Sequence, residues 1–115
     1  MSEKRDFKLF REKIGGRQER YIARRNQEYI ALLQREDHMA SENFWDLYKK
    51  MKQDKRDAGV AIYDLTKSNF DLYLMILLNE GAITMEDLED FSDELKQSMK
   101  QHIENQKKIR RSLIE

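Results

Sequence analysis

Not one of the 115 residues is proline, and only Gly15, Gly16, Gly59 and Gly81 are glycine. At ordinary usage a chain of this length carries about six prolines. Proline fixes φ and removes an amide donor, so its absence leaves long stretches free to run on as helix. Charged residues make up 38% of the chain, and Glu, Lys, Arg, Gln, Leu and Met are plentiful. These are strong helix formers. Apolar positions recur every three or four residues, the period of a helix face. The chain is therefore expected to be all-α, a helical bundle of about five or six amphipathic helices.

Glycines and capping residues set the expected boundaries. A first helix is predicted over residues 3–14, with Phe7, Phe10 and Ile14 on one stripe. Gly15 and Gly16 end it through backbone freedom. A second covers 17–35 and buries Ile22, Tyr29 or Ile30, and Leu33, with Tyr21 and Leu32 at the edge. A third covers 41–54, with Ser41 as N-cap and Phe44, Leu47, Tyr48 and Met51 turned inward. Residues 60–65, VAIYDL, have strand character but no strand to pair with, and are read as helix. Ser68 with Asp71 resembles a capping box. It introduces the central helix of the core, near 69–79, which is apolar on nearly every side.

Gly81 is placed to close that helix in a left-handed turn. Thr84, with Asp87 three residues on, caps the next. Leu88, Phe91, Leu95, Met99, Ile103, Ile109 and Leu113 then trace a stripe along a long C-terminal helix, and Ser92 is an alternative start for it. Lys107, Lys108, Arg110 and Arg111 gather at its end, where the helix dipole favours cations. The whole forms a single helical domain, 1–115. Residues 1–16 are expected at its periphery, and 106–115 are expected to fray.

The charges cancel overall, 22 basic against 22 acidic, but not locally. Residues 4–25 hold nine bases and three acids, whereas 80–94 hold seven acids and no base. Such a molecule offers a charged face to a partner of either sign, or attracts its own two ends. The basic candidates are Arg17, Arg20, Arg24 and Arg25, suited to phosphate or carboxylate. The acidic patch is Glu86, Asp87, Glu89, Asp90, Asp93 and Glu94.

Most reaction chemistries lack their residues. There is no cysteine, so disulfides and thiolate metal sites are excluded. The two histidines, His38 and His102, belong to no ligand motif. The acidic segment has neither the alternating oxygen ligands nor the central glycine of an EF-hand loop. No GxSxG elbow and no phosphate-binding loop is present. The expectation is no enzyme, no cofactor, no metal and no small-molecule substrate. The longest apolar run is seven residues, against about 20 for a membrane span. The charged N-terminus does not read as a secretory signal. A cytoplasmic protein without membrane attachment is the expectation.

What remains is interaction. Trp45, Tyr21 and Tyr48 are the expected contacts for a protein partner, since aromatic residues are enriched in interface cores. Self-association is included, either through these aromatics or through the C-terminal stripe as a short coiled coil. The function read from the sequence is a non-catalytic helical adaptor or inhibitor. The alternative is a nucleic-acid-binding regulator or accessory protein. It would use the basic face 17–25 or a helix-turn-helix-like unit, 70–103, presenting Lys96, Gln97, Lys100 and Gln101.

Overall fold

The computed structural model describes residues 2–114. Among them the chain is helical and contains no strand. The all-α expectation holds, with four α-helices in place of five or six. They are α1 (Ser2–Leu33), α2 (Ala40–Asp54), α3 (Phe70–Glu80) and α4 (Asp93–Ile114), with a short 3-10 turn (Met85–Leu88) before α4.

Gly15 and Gly16 do not end a helix, contrary to expectation: α1 runs through them for 32 residues, a rod of about 48 Å. Neither glycine has a positive φ. Two mid-helix glycines cost about 2 kcal/mol against alanine. Packing on both sides outweighs that. Phe10 lies on one side of the pair and Tyr21 on the other, and both are buried. Each such side chain contributes about 1.5–3 kcal/mol. Phe10, Ile14 and Arg17 line one small void of about 20 Å³ with Leu74, Ile83, Leu88 and Phe91. The helix is thus held as one piece from outside.

α1 is consequently the spine, and its two halves meet different neighbours. The first half packs on α3, the 3-10 turn and α4. Phe7 and Phe10 approach the Phe70 ring at 5.4 and 6.0 Å between centroids. Phe7 and Phe10 thus tie this half of α1 to the core. The core comprises Phe10, Tyr21, Ala58, Phe70, Leu74, Leu77, Ala82, Ile83, Leu88, Phe91 and Met99. α3 is central as expected, with Leu74 and Leu77 fully enclosed, although Leu72 is exposed. The second half of α1 gives Tyr21 to this core and bonds residues 57–58, Gly81 and Asp87; its last turns pair with α2. The radius of gyration, 17.2 Å, exceeds the roughly 13–14 Å of a compact domain this size.

Residues 60–65 form turns and irregular chain, neither helix nor strand. Side chains satisfy the two residues just before this stretch. Gln18 donates to the Ala58 carbonyl at 2.9 Å, and Glu80 accepts the amides of Ala58 and Gly59 at 3.0 and 2.9 Å. Gly59 passes so close to Tyr21 that an added Cβ would lie 2.5 Å from the ring.

The helix starts also shift. α2 begins after Met39, whose amide donates to Glu42 at 3.1 Å, so Ser41 is not the cap. α3 begins after Asn69, not Ser68; Asn69 accepts the Thr66 amide at 2.7 Å. Gly81 does adopt the left-handed conformation, φ 77°. The Thr84 amide donates to Asp87 at 2.8 Å, the predicted cap. Ser92 precedes α4, and its hydroxyl accepts the Leu95 amide at 3.3 Å. α4 continues through Ile114.

Candidate partner-binding surface

α2 presents the opposite face to the one its sequence suggests. Its buried residues are Asn43 and Asp54, not the aromatics. Arg35, just beyond α1, donates to Asn43 Oδ1 through Nε and Nη2 at 3.0 and 2.7 Å. Its Nη2 also reaches Asp46 at 2.9 Å. The Asn43 amide returns a hydrogen bond to the Arg35 carbonyl at 3.3 Å. Further along, the Tyr29 hydroxyl donates to Asp54 at 2.6 Å. Lys50 bridges Glu28 at 3.4 Å and Asp54 at 3.6 Å. The seam between α1 and α2 is therefore largely polar. Such a seam is stable only because its members are partnered.

The remaining face of α2 is apolar and turned to solvent. Phe44, Trp45 and Tyr48 are 61%, 62% and 56% exposed, and Met51 is half exposed. This corrects the expectation that Phe44, Tyr48 and Met51 belong to the core; of that stripe only Leu47 is partly covered. The three rings form an edge-to-face row, with centroids 5.0 Å apart from Phe44 to Trp45 and 6.0 Å from Trp45 to Tyr48. That geometry suits aromatic pairs and holds the rings in a fixed row. Met39 before the row and Ile30 and Leu33 at the end of α1 are exposed as well. The three rings alone leave roughly 350 Å² of surface in water. A typical monomer's largest apolar patch is about 300–600 Å² and is often functional.

Of the expected contacts, Trp45 and Tyr48 lie in this row. Tyr21 does not: it is 2% exposed and belongs to the core. Its hydroxyl donates to Asp57 at 2.5 Å and accepts from Arg25 at 2.5 Å. Burial, reinforced by the Asp57 carboxylate, pushes its phenol up to about 12. Phe44 and Met51 belong to the surface, against the inward position their spacing suggests. Their sequence signal is ordinary amphipathicity, which does not say which face a helix buries.

The two charged regions meet within the chain. Arg17 and Arg20 pair with Asp87 at 3.2 and 2.8 Å. Lys13 pairs with Asp90 at 2.8 Å, and Arg5 donates to the Asp90 carbonyl at 3.1 Å. Arg24 donates to the Gly81 carbonyl at 2.5 Å. Arg25 holds Glu28 at 2.9 Å. Burial pushes the Asp87 carboxyl up, but Arg20, the Thr84 amide and Arg17 together hold it below the ordinary range. Lys13 lowers Asp90. Asp93 pairs with Lys96 at 3.3 Å on α4 itself. Glu86 and Glu89 remain exposed at the edge of the cluster, and Glu94 lies on the first turn of α4.

A concavity of about 630 Å³ lies beside residues 55–64. Its Glu80 carboxylate is occupied by two backbone amides, and the Tyr73 hydroxyl by Asp64. Among the described residues no cluster of metal-binding side chains forms, and no helix is long and apolar enough to cross a membrane. Comparison with protein-family models, curated proteins and solved structures gives no match to this chain.

Proposed function

We propose that this chain is a non-catalytic interaction protein that binds a macromolecular partner through the aromatic face of α2. One observation carries the reading: α2 buries its polar side and leaves Phe44, Trp45, Tyr48 and Met51 in water. An isolated fold gains nothing from that orientation, because apolar surface is stabilised by leaving water. A partner recovers the lost burial. Rigid aromatic anchors of this kind carry most of the binding energy in known interfaces. The protein then acts by occluding or bridging what it binds.

The nucleic-acid alternative has less to stand on. Arg17, Arg20, Arg24 and Arg25 all hold partners within the chain. Phosphate binding through them would first break those contacts.

Affinity capture from the native cell, run side by side with Trp45→Ala and Tyr48→Ala, tests the proposal. A protein retained by the parent and lost with either variant supports it. Equal retention by all three defeats it. So does tight DNA or RNA binding that weakens steeply with salt and vanishes when Arg17, Arg20 and Arg24 become Ala.

A further inference from the structure

We infer that the partner of the α2 face is a second copy of this chain, docked antiparallel about a two-fold axis. This rests on the reading that the aromatic face of α2 is a binding surface.

Charge along α2 selects the occupant. Residues 36–46 carry Glu36, Asp37, Glu42 and Asp46 and no lysine or arginine. Residues 49–56 carry Lys49, Lys50, Lys52, Lys55 and Arg56 against one acid, Asp54. One end of the helix is acidic and the other basic, and the aromatic row lies between them. Two copies laid head to tail bring each acidic end onto a basic end. The parallel arrangement opposes like charges, which is unfavourable. Antiparallel pairing also opposes the two helix dipoles.

Symmetry agrees with the side-chain positions. A two-fold interface is self-complementary, each residue meeting the counterpart of its own contact. At roughly 100° per residue, Glu42, Trp45, Lys49 and Lys52 fall on one flank of the apolar face. A two-fold axis between antiparallel helices sets like flanks together. Glu42 of each copy then lies near Lys49 and Lys52 of the other. Phe44 falls opposite Met51, and the two Tyr48 rings meet near the axis. Glu36, Glu42, Lys49 and Lys52 are all exposed and therefore available for this. Met39 and Met51 extend the exposed row along α2, part of the roughly 800 Å² per partner that a standard interface buries.

Sedimentation velocity of the full chain over roughly 1–300 µM reads the association. Trp45 is the only tryptophan, so its emission reports on this surface and no other. The parent chain is expected to dimerise across that range, with Trp45 emission moving to shorter wavelength as it does. Trp45→Ala is expected to weaken the dimer about thirtyfold or more, the usual loss at an interface anchor. The Glu36→Lys/Glu42→Lys variant and the Lys49→Glu/Lys52→Glu variant each weaken self-association, about tenfold. Mixed in equal amounts, they restore it as a heterodimer. Glu42→Lys also removes the acceptor for the Met39 amide, so recovery on mixing is the deciding result; a misfolded variant would not recover.

A monomer at every concentration overturns the inference. A dimer that ignores Trp45→Ala and leaves Trp45 emission unchanged overturns it too, and points to the exposed Ile109 and Leu113 of α4. No recovery on mixing overturns the antiparallel arrangement. If the chain is monomeric while Trp45→Ala still abolishes capture of another protein, only the second copy is refuted and the α2 surface stands. If capture is also indifferent to Trp45, both fall.

Discussion

The carboxylate of Asp6, in the second turn of α1, accepts the Ser92 amide at 2.9 Å and the Ser92 hydroxyl at 2.5 Å. Asp6 is 2% exposed. It ties the start of α1 to the start of α4 across 86 residues of chain. Helix starts leave amides without intrahelical partners. Here the acceptor comes from another helix.

Asp6→Ala is therefore expected to destabilise the fold by about 1–3 kcal/mol, the cost of leaving a buried amide and hydroxyl unpaired. Urea unfolding followed by circular dichroism measures it. An unchanged midpoint would show that water replaces the carboxylate without loss.

The glycines divide by position. Gly15 and Gly16 lie inside α1 with open space where a Cβ would project. Alanine at either site is expected to stabilise by about 0.5–1 kcal/mol, through reduced unfolded-state entropy and better helix propensity. Gly59→Ala is expected to do the reverse. Its Cβ would overlap the buried Tyr21 ring, and overpacking costs about 1–3 kcal/mol. Thermal melts of the three variants should split in sign.

Asp87 gives the fold an acid sensitivity. Its folded carboxyl lies below the ordinary value, because the pull of Arg20, the Thr84 amide and Arg17 exceeds the opposing effect of burial. A depressed carboxyl contributes stability that is fully present above the unfolded value, about 3.9. That stability is lost as pH falls through the folded value. Asp87→Asn is expected to lower stability at pH 7 by about 1–3 kcal/mol. The difference should shrink as pH drops below about 4. A constant difference from pH 7 to 2.5 would contradict this account.

At the alkaline end, Tyr21 and Tyr29 should ionise late. Burial, with Asp57 beside Tyr21 and Asp54 beside Tyr29, raises both phenols, Tyr21 to about 12. A raised phenol contributes stability present below the unfolded value of about 10, and that contribution is lost as pH rises towards the folded value. Absorbance titration at 295 nm should show part of the five-tyrosine signal delayed until the chain unfolds. Tyr21→Phe should reduce the delayed part by one residue. It should also cost about 1 kcal/mol from the lost hydroxyl bonds.

Much of the molecule was legible in its residues. The absence of proline and the three- and four-residue apolar spacing fix a helical chain. Gly81, Thr84 with Asp87, and the apolar run around Leu74 mark elements that local chemistry alone requires. Residue type marks Trp45 and Tyr48 as contact candidates, but the apolar spacing turns Tyr48 inward, and its exposure comes from the fold. The pairing of the basic and acidic segments was visible as an attraction, though not as the contacts of Arg17 and Arg20 with Asp87.

The sequence by itself determined where helix is favoured and that Gly81 closes one in a left-handed turn, because those are short-range energies of each residue with its neighbours. Only the tertiary structure decided that α1 passes through Gly15 and Gly16, since a penalty of about 2 kcal/mol yields to burial on both sides. It alone decided which side of α2 turns inward. An amphipathic helix carries two faces. Arg35, Tyr29 and Glu28 offered the polar one hydrogen-bond and ion-pair partners, which left the aromatic face outside.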